Sequence, residues 1–365
     1  MMSDPRLPPE ILDYIVDFLH NKPQRLKMCC LVAKSWVPRT KKHLFKRIEI
    51  SSLVDLETWW KVFPDPDSSP GHHVRSLIFP CVGPIFSGVA GGCNLVRPFT
   101  NVVRLGMWCD KGIFNALTSS QFFELVCSLP LLEDIDLGVW VIGSDYGHGP
   151  VFEPRASPPL AGTLSLSLAA EIGDVTRGLL ALSNGIHFRK FVFAWSSEED
   201  YQWAMALVER CSDTLEYVEI DRNVLEYSSE ALIDLSNATK LREVAFWFRP
   251  DVNWITNTLK TILPEHRDLQ KISIYFEPHH DIFADDPEDL KRVVGEWTYK
   301  QWMDLDGRLV QLWEAHAVCI KLVGARNKFK SVISLLPEAA KRGIVQLLIY
   351  AEVEFDSKTH RRLYS

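Results

Sequence analysis

One short signature, apolar-x-x-apolar-x-apolar, recurs along most of this chain at a nearly constant spacing. It stands at Val74, Leu77, Phe79; at Val102, Leu105, Met107; and at Leu132, Ile135, Leu137. A weaker copy is Ala161, Leu164, Leu166. Clear ones follow at Phe188, Phe191, Phe193; Leu215, Val218, Ile220; Leu241, Val244, Phe246; and Leu269, Ile272, Ile274. The first positions of these eight copies are close to evenly spaced from Val74 to Leu269. After a longer gap two further copies stand at Ala317, Ile320, Leu322 and Ile344, Leu347, Ile349, again one period apart. Alternation in the second half of each copy suits a short strand with one buried face. The stretch between copies is enough for one helix and two turns. A strand–helix unit of this size cannot bury its own apolar face, so such a chain must stack its units.

Several intervening segments read as helices. Ser196-Ser197-Glu198-Glu199 is a capping box leading into a helix over Tyr201 to Arg210, with Tyr201, Ala204, Leu207 and Val208 on one face. Ser228-Ser229-Glu230 starts Ala231 to Leu235 in the same way, and Asp286-Pro287-Glu288 starts a longer helix through Trp297. A helix over Ala339 to Arg342 ends at Gly343, a natural C′ residue. Residues 63–73, 143–159 and 277–300 read as loops or insertions, the last acidic at its start and rich in tryptophan downstream. Strand plus helix repeated at this period resembles the divergent leucine-rich-repeat domains that follow an F-box, especially in fungal proteins. The chain departs from that pattern in lacking an asparagine ladder after the strand, where Pro80, Trp108, Gly138 and Trp247 stand. An ordinary α/β domain with a parallel sheet would produce the same alternation.

If the apolar members of each strand point inward, their neighbours line the open face of the sheet. That row comprises Arg104 and Trp108; Asp134 and Asp136; Lys190; Tyr217, Glu219 and Asp221; Glu243 and Trp247; Lys271 and Tyr275; and Tyr350. Mixed aromatic and charged side chains suit protein recognition, and the carboxylates Asp134, Asp136, Glu219, Asp221 and Glu243 favour a basic segment on the target. A solvated face without a ligand is the alternative.

The N-terminal segment, up to Ile48, is different in kind. Leu7-Pro8-Pro9-Glu10-Ile11 opens a helix, since prolines fit its first turn, and Ile15, Phe18 and Leu19 follow at helical spacing. Asn21-Lys22-Pro23 stops it. A second helix from Pro23 carries Leu26, Met28, Cys29 and Cys30, and a third runs from Ala33 towards Phe45, with Trp36, Leu44 and Phe45 as anchors and Pro38 kinking or splitting it. A segment this short cannot bury a core alone. In order and spacing, these motifs together with Leu31-Val32-Ala33-Lys34-Ser35-Trp36 resemble an F-box over residues 5–48, with Ala33 where a cysteine is common. The resemblance implies docking on the Skp adaptor of a cullin-RING (SCF) ubiquitin ligase through Leu7, Pro8, Ile11, Ile15, Leu19, Leu26, Leu31, Val32 and Trp36, some of which must instead pack the module's own core. The alternative is an amphipathic cap for the next domain.

Composition narrows the function classes. Hydrophobic content of 47%, charged content of 24% and a net charge of −7 suit a folded soluble protein, with nothing that globally favours nucleic acid or an anionic membrane. From Lys22 to Arg47 there are nine lysines and arginines and no Asp or Glu, which reads either as a solvated face or as steering towards an acidic partner. The eight cysteines are scattered without metal-ligand spacing, as suits reduced thiols. The start, Met1 to Glu10, is polar and proline-rich, so no signal peptide is expected, and residence is expected in cytoplasm, nucleus or both. Nucleophile, phosphate-loop and zincin motifs are lacking, and His279-His280-Asp281 has no further ligand spaced nearby. The expectation is therefore a small all-α F-box (1–48) followed by an α/β leucine-rich-repeat-like solenoid (49–365). It would act as a substrate-recognition subunit without catalytic residues, cofactor or metal of its own. The alternative function is a ligase-independent repeat scaffold.

Overall fold

Every copy of the apolar signature becomes a strand. The computed structural model describes residues 8–66, 68–80, 96–108, 117–138, 142–143, 157–167, 172–195, 198–222, 232–248, 252–276, 296–316, 319–324 and 333–349. By contact density the chain forms two compact units, Met1–Asp136 with Trp140–Pro159, and Leu137–Val139 with Leu160–Ser365. Each unit is an α/β repeat array built on parallel strands.

The first unit begins with α1 (Pro9–Phe18), α2 (Pro23–Val32), a 3-10 turn (Lys34–Trp36) and α3 (Val37–Leu44). Pro9 and Pro23 stand at the first helical position. Pro38 splits the third helix, because a residue without an N–H is tolerated only in a first turn, and it now lies in the first turn of α3. Val16, Leu26, Cys29 and Thr40 are buried in this module. Asp17 on α1 ties it to α3. The Arg39 Nε donates to its carboxylate at 2.7 Å, a second guanidinium nitrogen closes a fork, and the His43 Nε2 lies 2.6 Å away. Hydrogen bonds from Arg39 and His43 hold the Asp17 carboxyl well below the ordinary carboxylate range. A depressed folded-state value adds stability that is complete above the unfolded value, near pH 4, and is lost as pH falls below it. Asp17→Asn is therefore expected to destabilise the module at pH 7, with the difference from wild type fading below about pH 4. Roughly a third of both side chains is exposed, so solvent screening keeps the loss at about 1 kcal/mol or less; thermal denaturation at the two pH values measures it.

Next come β1 (Arg47–Glu49), α4 (Leu53–Val62), a 3-10 turn (Pro70–His73), β2 (Ser76–Phe79), β3 (Arg104–Met107), β4 (Leu117–Thr118), α5 (Ser119–Cys127), β5 (Asp134–Leu137) and β6 (Ile142–Gly143). Strands run β1-β2-β3-β5, with β4 and β6 as a separate pair. β1 exposes a copy that the sequence reading missed. Phe45, Ile48 and Ile50 repeat the signature one period before Val74, and Ile48 sits opposite Leu77, which sits opposite Leu105. Phe45, expected to anchor the third helix, instead meets Trp59 and Phe63 edge-on. α4 and α5 both begin with capping boxes, Ser52 with Asp55 and Thr118 with Gln121.

The second unit holds β7 (Thr163–Ser167), α6 (Ile172–Leu180), β8 (Lys190–Trp195), α7 (Glu198–Cys211), β9 (Tyr217–Arg222), β10 (Glu243–Phe248), α8 (Asn253–Lys260), β11 (Lys271–Phe276), α9 (Glu296–His316), β12 (Cys319–Gly324), α10 (Pro337–Lys341) and β13 (Val345–Ile349). Strands pair in chain order. Leu164, Phe191, Val218, Val244, Ile272 and Ile320 lie in one lateral row, and Leu166, Phe193, Ile220, Phe246, Ile274 and Leu322 in the next. Three expectations need correction. Leu160, not Ala161, fills the buried anchor before β7, in a left-handed conformation (φ 25°) costing about 1–2 kcal/mol. Leu347 pairs with Leu322 rather than Ile320, a slip of two positions in register. Residues 232–235 are irregular, not helical. The capping residues Ser196, Ser197 and Ser228 to Glu230, and the start at Asp286, lie outside the described residues.

What replaces an asparagine ladder is a set of side chains that reach from one repeat to the turn of another. In the first unit Asn101 Nδ2 donates to the His72 carbonyl at 2.7 Å, and Gly71 lies so close to Pro98 that a Cβ would stand 2.6 Å from its carbonyl oxygen. In the second, the Thr214 hydroxyl donates to the Phe188 carbonyl. The hydroxyls of Thr258 and Thr261 accept the N–H groups of Ile233 and Leu235. Buried His266 accepts the Leu263 N–H at Nδ1 and lies 2.8 Å from the Leu235 carbonyl at Nε2. These bonds satisfy turn groups that would otherwise be buried without partners. They explain why residues 232–235 need no helix.

Candidate protein-interaction surfaces

The first surface lies on the N-terminal helices. Ile11, Tyr14, Ile15 and Phe18 occupy one stripe of α1 and all are exposed, Phe18 by 71%. On α2 the exposed apolar residues are Met28, Leu31 (88%) and Val32 (70%). Helical spacing explains the division. On α1 the buried Val16 and half-buried Leu12, with Leu19 just past its end, lie on the other side, as Leu26 and Cys29 do on α2. Of the residues taken from the F-box resemblance, Pro8, Ile11, Ile15, Leu31 and Val32 are exposed, Leu19 and Trp36 are half-buried, and Leu7 lies outside the described residues. Leu26 is corrected: with no exposed surface it packs the module's core and cannot touch a partner. Tyr14, Phe18 and Met28 were not singled out as contacts, although the i, i+3, i+4, i+7 spacing of Ile11, Tyr14, Ile15 and Phe18 carries the signal.

Within each unit by itself, the open side of the strands is a further candidate surface. In the first unit Arg104 on β3 donates to Asp136 on β5 at 3.1 Å, while Asp134 and Trp108 are half-buried. In the second unit Tyr217, Glu219, Glu243, Trp247, Lys271 and Tyr275 form one continuous arrangement. The Tyr217 hydroxyl donates to one Glu219 oxygen at 2.5 Å, and the Trp247 indole N–H donates to the other at 2.8 Å. The Trp247 and Tyr275 rings stack with centroids 4.1 Å apart and planes 5° from parallel. Lys271 is ion-paired with Glu243, and the Lys190 ammonium sits 4.2 Å from the centre of the Tyr217 ring. These pairs follow from register, because Lys190, Tyr217, Glu243 and Lys271 share one lateral row, and Asp221, Trp247 and Tyr275 another. Small residues in the row between, Ala245 and Ser273, leave room for the rings.

Burial and the adjacent Glu219 charge push both the Tyr217 and the Tyr275 hydroxyls upward, so both stay protonated donors at neutral pH. Trp247, expected on the open row, is instead buried at 6% exposure, so this side consists of the half-buried Tyr217 and Tyr275, a carboxylate gripped by two neutral donors and paired charges. Among the described residues no group of three or more His, Cys, Asp or Glu could hold a metal ion, and no helix is long and apolar enough to cross a membrane. Tyr350 and His279 to Asp281 lie outside the described residues.

No protein-family model and no curated protein matches the chain. Among solved structures it is similar to the leucine-rich repeat-containing protein LegL7 from Legionella pneumophila. That match has 10% identity and a TM-score of 0.38, and it covers 87% of this chain and 97% of that one.

Proposed function

We propose that this chain is the substrate-recognition subunit of an SCF-type cullin-RING ubiquitin ligase, docking on a Skp-type adaptor through α1 and α2 and holding a protein target on its repeats. The observation that carries this reading is the exposed apolar set Ile11, Tyr14, Ile15, Phe18, Met28, Leu31 and Val32 on a module with so small a core. Large apolar side chains left in water on consecutive helices mark a surface awaiting a partner. The subunit carries no catalytic residues on this reading. It acts by raising the local concentration of the target's lysines near the charged ubiquitin carrier. On this reading the strand side carrying Tyr217, Glu219 and Tyr275 is the candidate seat of that target.

Copurification tests it. The tagged chain is expected to bring down a Skp adaptor and a cullin in equal amounts, and a pull-down lacking both rejects the ligase reading. The full chain is required, because the segment ending at Ile48 contributes to β1, and its removal would uncover the edge of β2. That same pairing favours a second reading, in which the helices are a cap and the repeats form a ligase-independent scaffold. Retention of a bound target without adaptor or cullin would support it.

A further inference from the structure

We propose that partner docking on the N-terminal module is electrostatically steered, with the α2 side of the module meeting an acidic rim on the adaptor. The inference rests on the adaptor reading above and adds its polarity. The charges of the module are divided between its helices. Glu10, Asp13 and Asp17 lie on α1, and no acidic residue follows from Lys22 to Arg47. Asp17 is already neutralised by Arg39. The remaining cations of that stretch, among them Lys22, Arg25, Lys27, Lys34, Lys41 and Lys42, are all exposed.

Position decides between steering and mere solvation. Lys27 stands beside Met28 and one turn before Leu31, so it shares their exposed face. The Lys22 ammonium lies 6.0 Å from the centre of the exposed Phe18 ring. Lys34 follows Val32 by two positions. Cations therefore border the apolar residues that a partner would cover. A partner burying those residues brings its own rim close to several positive charges. Opposite charge there accelerates encounter, and like charge would slow it. The sharp change of sign between α1 and α2 also sets the orientation in which a partner docks.

Stopped-flow mixing of the full chain with a purified Skp adaptor, from about 50 to 500 mM NaCl, tests the proposal. The association rate constant is expected to fall about tenfold or more across that range, with the dissociation rate changing far less. Lys27→Glu with Lys34→Glu should slow association at low salt and converge on wild type at high salt. The milder Lys27→Gln with Lys34→Gln should fall between them, and both pairs keep the fold because the side chains are exposed. Association indifferent to salt and to charge reversal overturns steering. In that case continued binding that Leu31→Glu abolishes would leave the docking reading standing. Absence of any complex at every salt concentration overturns both, as does a salt-sensitive homodimer formed in place of the adaptor complex.

Discussion

Phe18→Glu combined with Leu31→Glu is expected to weaken capture of a Skp adaptor at least about 100-fold while leaving the melting temperature of the free protein nearly unchanged. Both side chains are mostly in water in the isolated chain, at 71% and 88% exposure, so the fold draws little from them. In a complex each would bury most of its apolar surface, worth about 1.5–3 kcal/mol apiece, and a carboxylate in its place would have to be desolvated. A loss of about 2.7 kcal/mol already lowers affinity 100-fold. Leu26→Ala is the informative contrast. That residue is fully buried, and its truncation is expected to cost about 2–5 kcal/mol of stability, weakening capture only through unfolding. Titration calorimetry of each variant, with melting curves measured alongside, separates the two. Undiminished affinity in the double glutamate variant would remove the docking surface.

The other large effect is expected at α9, where two side chains two positions apart hold the neighbouring helices. Asp306 is almost completely buried, and its two oxygens accept the N–H groups of Glu338 and Ala339 at 2.9 Å each. These are orphan donors of the first turn of α10, where a negative charge also meets the positive end of the helix. Arg308 points the other way. Its Nε and Nη2 donate to the Leu259 carbonyl, and Nη2 also donates to that of Ile262, at the end of α8. Asp306→Ala leaves one buried and one partly buried donor without this partner, at a cost of about 2–3 kcal/mol. Arg308→Met is expected to cost about 1–3 kcal/mol by the same reasoning. In a stacked array the damage stays near its origin. Amide exchange should therefore accelerate in α10 for Asp306→Ala and in the end of α8 for Arg308→Met, with β8 and β9 protected as before. Uniform acceleration along the second unit would show instead that it unfolds as one block.

Legibility in the sequence followed the strength of the local rule. Val244 and Phe246 were readable as core because alternation along a strand puts them on one face whatever their neighbours do, and the same holds for the copies from β2 to β11. Phe45, Ile48 and Ile50 obeyed that rule but were hidden behind a helix reading of Phe45. The complementary row follows from the same alternation, although its members are mostly half-buried and Trp247 is buried. Its internal pairing was not readable: that Glu219 takes both the Tyr217 hydroxyl and the Trp247 indole depends on which strands are adjacent and in what register. Leu26 and Leu31 look alike in a list of apolar helix positions, and only the packing of α2 on its module separates them. The turn contacts of Thr258, Thr261 and His266 had no signature, because a hydroxyl or imidazole can meet an orphan backbone group from many positions.

By itself, then, the order of residues determined where strands form, which of their side chains turn inward, and that the units must stack, since alternation and spacing act within a few positions of each other. Tertiary structure alone decided which apolar residues of α1 and α2 remain in water, which polar side chains close the turns of the repeats, and which charges meet across strands. Those outcomes depend on distances between segments a whole repeat or more apart along the chain, such as Thr258 to Ile233 and Arg308 to Leu259. Such distances come into being only when the repeats are packed together.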